Sequence, residues 1–155
     1  HLQMCAVRDK EVIYTKDHNF GMDVLIKDLT ILYNQERSQI EQQLTDDTLP
    51  ETWKQDAYPM FLANLQQSIN RALQVYISAS GEVRPSSLLI CGGGGHLTSL
   101  PEDLTADLGI EVMCFNPFAD MVIADNINQG DLKQISRQLI IAAGLASRSF
   151  QPWHI

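Results

Sequence analysis

Ser87-Leu88-Leu89-Ile90-Cys91, followed at once by Gly92-Gly93-Gly94-Gly95 and His96, is the stretch from which the fold can be read. A short apolar run that ends in glycines and feeds a helix is the pattern of a buried parallel strand delivering its backbone to a ligand. Glycines at such a turn let main-chain N–H groups approach a phosphate, a ribose or a base edge with no Cβ in the way. Ser99-Leu100-Pro101-Glu102 then reads as a capping box with proline in the first turn of a helix. Leu100, Leu104 and Leu108 recur at four-residue spacing, and Gly109 stands where a C-cap belongs. Ile110 to Phe115 is a second apolar run, so residues 87–115 read as one β–loop–α–β unit with parallel strands. The glycine run alone decides no chemistry. No Gly-Lys-Ser/Thr follows it, and it lacks the G-x-G-x-x-G spacing, with an acid about 20 residues on, of a dinucleotide site. A tight strand-to-helix turn and a ligand-cradling loop are equally good readings of it.

The chain of 155 residues suits one domain, or one domain with a small insert. Its net charge of −8 argues against nucleic acid or an anionic membrane surface as the main partner. Cys5, Cys91 and Cys114 are odd in number, widely spaced and set in apolar strand patterns. They lack metal-ligand spacing and are expected to be small core residues in a reducing compartment. With no run long enough to span a bilayer and no signal peptide in view, a cytoplasmic location is expected.

In chain order, residues 2–17 read as an antiparallel hairpin turning at Arg8-Asp9-Lys10-Glu11. Phe20-Gly21 breaks the pattern, and a helix starts near Asp23 with Leu25, Leu29 and Leu32 on one face. Residues 35–47 are polar apart from Ile40 and Leu44, which predicts a marginal surface helix ending in the loop 46–50. A long helix is predicted from about Asp56 to Ser78, with Phe61, Leu65, Ile69, Leu73 and Tyr76 as its apolar stripe. Asn116-Pro117-Phe118 is a sharp turn, because proline fixes its own φ and moves Asn116 out of helical space. Residues 119–130 are mostly loop. A last helix is predicted over 131–148, with Ile135, Leu139, Ala142, Ala143 and Ala146 facing inward and Gly144 marking the close approach of a backbone or a ligand.

Candidate chemistry is sparse. Asp103 and Asp107 share a helix face, but paired acids on an acidic protein read as solvation. His96 could bond a ligand or face solvent, and Trp53 and Tyr58 read as satellite packing. Nothing in the sequence positions a base beside a nucleophile, so no catalytic or metal-binding set is assigned.

The order of hairpin, Phe-Gly, two helices, loop, long helix and strand with Gly-Gly carries a family resemblance. So do Leu49-Pro50-Glu51, Arg71-Ala72-Leu73-Gln74, Gly92-Gly93, Asn116-Pro117-Phe118-Ala119-Asp120-Met121 and Gly144-Leu145-Ala146-Ser147-Arg148-Ser149-Phe150. On these the chain, from residue 1 to about 150, resembles the C-terminal half of the PilM family. These are actin-like ATP-binding proteins of type IV pilus assembly, the machinery of twitching motility, related to the cell-division protein FtsA. The resemblance implies an α/β, RNase-H-like actin-type lobe. Its parts would be a hairpin at 1–21, a small helical subdomain at 22–57, and the rest of the lobe at 58–155 with an adenosine-type glycine loop. Gly92, Gly93, Gly94, Gly95 and His96 would contact the nucleotide, and the helix near residues 40–43, with Ile40 and Glu41 as its contact residues, would close over the base. Gly144 would pack the last helix against that loop, and Leu44-Thr45 stands where the family usually carries a lysine.

The implied function is a cytoplasmic scaffold of the pilus inner-membrane complex that binds ATP with Mg²⁺ when intact. It would dock the cytoplasmic tail of PilN through a lobe outside this chain. A working ATPase or sugar-kinase relative of the same fold is the alternative, although these residues alone are expected to be inactive and to bind ATP only weakly. The resemblance also implies a first central strand, with an Asp-x-Gly phosphate loop, ahead of His1. Without it two sheet edges stay open. Exchange of strands between two copies is the expected repair, ahead of direct pairing of the hairpin with 87–91 or an upstream segment that still supplies the strand.

Overall fold

A computed structural model describes residues 2–81 and 84–147. Strands β1 (Leu2–Arg8) and β2 (Glu11–His18) form the expected antiparallel hairpin. Asp9 and Lys10 both take left-handed φ, 52° and 70°, the two-residue turn whose twist suits a hairpin. Helices α1 (Met22–Tyr33), α2 (Arg37–Thr45) and the short α3 (Trp53–Asp56) precede the long α4 (Tyr58–Ser80). Strand β3 (Ser87–Ile90) leads through a 3₁₀ turn, Gly92–His96, into α5 (Leu100–Leu108) and β4 (Glu111–Cys114). After turns at 117–120 come α6 (Gln129–Ile135), a 3₁₀ turn Ser136–Gln138 and α7 (Ile140–Ser147).

β3 and β4 pair in parallel, Ser87 opposite Glu111 and Ile90 opposite Cys114, as the β–loop–α–β reading requires. The hairpin does not join them. Among the described residues there are two separate two-stranded sheets, so direct pairing of the hairpin with 87–91 does not occur.

One apolar cluster joins helices α1 to α5 with β1, β3 and β4. All five predicted stripe residues of α4 are buried, with Leu25, Ile26 and Leu29 of α1, Ile40 of α2, and Leu100, Leu104 and Leu108 of α5. Leu2 and Met4 of β1, and Leu88 and Ile90 of β3, pack against this cluster. Phe20 stacks on Phe61 at 5.5 Å and Tyr14 meets Tyr76 edge-on at 5.4 Å, which ties the hairpin to α4.

Several expectations need correcting. Leu32 is 46% exposed, and Ile26 takes the inward place beside Leu25 and Leu29. The cysteines are not core residues: Cys5 and Cys91 are exposed and Cys114 is half-buried. Parity explains Cys5, since Leu2 and Met4 take the inward face of β1 and leave Gln3 and Cys5 on the other. Ser99 does not cap α5. Its own backbone is helical, and its hydroxyl donates to Tyr58 instead. The proline in the first turn and the left-handed Gly109 (φ 64°) are as expected. A capping box occurs at α2, where the Glu36 N–H donates to Gln39 Oε1 at 3.1 Å and the Glu36 side chain accepts from the Gln39 backbone.

The single C-terminal helix is in fact two helices joined by a 3₁₀ turn. A 3₁₀ residue turns 120° rather than 100°, so the face set by α6 is not continued by α7. Ala143 is buried, but Ile135, Ala142 and Ala146 are exposed. Residues 148–155, where the predicted helix and the Arg148-Ser149-Phe150 motif end, lie outside the described residues.

Candidate functional site

The site begins where β3 ends. Gly92 takes φ 79°, a left-handed turn that an L side chain rarely adopts, and swings the chain off the sheet into the 3₁₀ turn. The turn closes with the Leu97 N–H donating to Gly94 O at 3.2 Å, and Leu97 is buried. Beside it the Phe115 N–H donates to Ile90 O at 2.9 Å and holds the end of β4 against the end of β3. The glycine run thus lies at the carboxyl ends of two parallel strands, where open α/β sheets present ligand sites.

Met22, the first residue of α1, sits on the loop. A Cβ on Gly93 would lie 3.9 Å from Met22 Cγ, and one on Gly94 would lie 4.0 Å from Met22 Sδ and 3.9 Å from Ile90 and Leu100. The loop is therefore walled on one side by the start of α1 and on the other by β3 and α5, while Gly93 itself is exposed. The 3₁₀ turn Ser136–Gln138 packs against the glycine turn. Gly144 does not: a Cβ there would meet nothing within 4 Å, which corrects the expectation that it packs the last helix against the loop. For Gly95 and His96 the backbone of the turn is described, but the His96 side chain lies outside the described structure.

On α2, Ile40 is 0% exposed and packed in the core, so its side chain anchors the helix and offers no surface to a ligand. Glu41, one residue on, is partly exposed and accepts from Arg37 Nε at 2.6 Å. The same guanidinium donates to Asp23 Oδ1. That hydrogen bond holds the Asp23 carboxyl below the usual carboxylate range. Arg37 therefore ties the first turn of α1, beside Met22, to α2.

Between α2, α3 and the residues after the glycine turn lies a narrow cleft. Gln43 and Leu44 form one wall, Trp53 and Lys54 another, and Leu97, Thr98 and Ser99 the third. Its interior is about 20 Å³, room for roughly one water. Behind it the Tyr58 hydroxyl donates to Asp103 Oδ2 at 2.6 Å and accepts from Ser99 Oγ at 3.2 Å. Trp53 meets the Tyr58 ring edge-on at 5.6 Å. Burial pushes the Tyr58 phenol well up, and its hydrogen bond to Asp103 adds to the effect, so it stays protonated. This network pins the segment after the glycine turn to the start of α4. Asp103 is thus more than a solvated acid, whereas Asp107 is exposed as expected.

Main-chain N–H donors at a strand end, beside a cleft of mixed polarity, can hold a small polar ligand. Among the described residues no group of three or more His, Cys, Asp or Glu could hold a metal ion, and no helix is long and apolar enough to cross a membrane.

The chain is similar in fold to a solved structure of a PilM–PilN type IV pilus biogenesis complex, with a TM-score of 0.78 and 20% identity. That match covers 97% of this chain and 43% of the other, so the chain spans less than half the length of the protein it matches. The likeness carries the fold: this is an actin-like α/β lobe. The family described as type IV pilus assembly protein PilM matches residues 1–150. Because that match takes in nearly the whole chain, the chain belongs to the PilM family of type IV pilus assembly proteins.

Proposed function

We propose that this chain is the nucleotide-side lobe of a cytoplasmic scaffold in the type IV pilus inner-membrane complex. It holds ATP with Mg²⁺ between itself and a second lobe, and the scaffold docks the cytoplasmic tail of PilN through that second lobe. Family membership supports the pilus role. The similarity to a chain of a PilM–PilN complex supports the partner. The observation that carries the nucleotide reading is the exposed Gly93 in a turn that closes the carboxyl end of β3, with Met22 of the helical subdomain seated against it. Gly92, Gly93, Gly94 and Gly95 present backbone to the adenosine, with His96 at the end of the turn. Glu41 faces the nucleotide from α2 while Ile40 keeps that helix in place.

The nucleotide serves as a clamp between lobes. That role needs binding groups and no base or nucleophile in this lobe, and an ATPase or sugar-kinase activity of the same fold is the alternative.

Gly93→Val in the full-length protein tests the reading. A Cβ at 93 meets only Met22 Cγ, at 3.9 Å, and methionine is pliable enough to accommodate the branch. The fold should therefore melt within a few degrees of wild type. Calorimetric affinity for Mg-ATP should fall at least about tenfold, because the side chain intrudes where the backbone meets adenosine. Wild-type affinity in this variant would reduce the loop to a tight turn.

A further inference from the structure

The outward side of α4 is unlike an ordinary solvated helix face. Met60, Asn64, Gln67, Arg71, Val75 and Ser78 follow one another at spacings of three and four residues and are all exposed, in a line opposite the buried stripe. Arg71 is the one charged residue among the 23 of this helix, in a chain that is 19% charged. A face turned only to water carries charges, whereas the core of an interface is depleted of them and keeps methionine and arginine. Met60 is 67% exposed and Val75 48% exposed.

The two ends of this line fit each other. Toward the C-terminal end, Gln74, Val75, Ser78 and Ala79 line a shallow open depression. Toward the N-terminal end, Met60 stands out as a flexible apolar knob. One helix cannot bring its own two ends together, but a second α4 running antiparallel to it can. With a two-fold axis beside Gln67, Met60 of each copy enters the depression at Val75 of the other, a knob in a hole of the facing helix. The same register sets Asn64 opposite Arg71 of the other copy, so an amide oxygen meets a guanidinium twice.

Charge selects the occupant. Two copies of net charge −8 meet closely only where neither brings an acid, and α4 has none. A basic partner would find no counter-charge on this face. We propose that the outward side of α4 is an isologous interface, through which two copies of this chain pair antiparallel about Gln67.

The test is sedimentation of the full-length protein. One helix from each copy makes a small contact, so the dimer should form with a dissociation constant of about 10 µM. Asn64→Lys sets two lysines against the two Arg71 side chains and should weaken the dimer at least about tenfold. Asn64→Glu offers each Arg71 a carboxylate and should tighten it several-fold. The double variant Asn64→Lys, Arg71→Glu restores opposite charges across the axis and should return the dimer to about wild-type strength. All three are exposed positions on a helix, so wild-type melting is expected. General repulsion between acidic chains predicts the reverse order, lysine tightening and glutamate weakening, and that result overturns the proposal. So does a dimer indifferent to the variants, which lies on another face, and so does a wild type that stays monomeric at about 100 µM.

Discussion

Tyr58 is buried, and its hydroxyl stands between Ser99 and the Asp103 carboxylate. Removing its proton would place a phenolate 2.6 Å from Asp103 Oδ2 in a half-buried site, so burial first and then this carboxylate hold the folded pKa above the unfolded value. A group whose folded pKa is raised contributes fully at pH below its unfolded value, about 10 for tyrosine, and loses that contribution as pH rises toward the folded value. Wild type should therefore lose melting temperature more steeply than Tyr58→Phe above about pH 10. Near neutrality Tyr58→Phe should cost about 1–2 kcal/mol, since water can reach the half-buried Asp103 in place of the hydroxyl. Parallel melting curves for the two proteins across that range would remove the network from the account. None of this is legible in the sequence. Tyr58 and Asp103 are 45 residues apart, and no spacing rule links a helix start to an acid on another helix. Leu100, Leu104 and Leu108 are legible because their relation is internal to one helix.

α4 and α7 mark the limits of periodicity as a guide. The stripe of α4 is legible residue for residue, because 23 helical residues give the pattern more than six turns in which to repeat. α7 has 8 residues and is apolar on nearly every side, so no face stands out, and the pattern points several exposed residues inward. Gly144 misleads in the same way. A helical glycine suggests a close neighbour, but the space beside this one is open. Gly144→Ala should therefore stabilise the protein, by up to about 1 kcal/mol, through helix propensity and a less flexible unfolded chain. The denaturation midpoint in urea measures this, with an unchanged slope. A loss of stability would restore the packing role. In the candidate site the glycine turn is legible from composition alone. Met22 on the loop is not, since it acts across a tertiary contact between α1 and the turn after β3.

At the scale of the whole molecule, the two sheets are its weakest join. Each has two strands, and among the described residues β1 and β3 hydrogen-bond only to their single partners. Parallel strands are ordinarily covered on both faces, yet Leu89 and Met113, opposite each other on β3 and β4, are 51% and 41% exposed. At the hairpin tip the cross-strand pair Val7 and Val12 is 63% exposed on both sides. An apolar, unpaired strand edge is a template for another strand. The hairpin is the element best placed to move, because it reaches α1 through the short segment 19–21, ending in Gly21 at φ 154°. A second copy offers its hairpin the same seat for Leu2, Met4 and Tyr14 that the first copy does, so exchange reuses contacts that already exist. The 155-residue chain should therefore run at twice its monomer mass by light scattering at micromolar concentration. Added salt should favour the dimer, because two chains of net charge −8 repel and screening shortens that repulsion to about 8 Å at physiological ionic strength. A monomer at every salt concentration, with the hairpin amides protected from hydrogen exchange, would mean that the hairpin stays seated on its own α4 and that the open edges are tolerated in water.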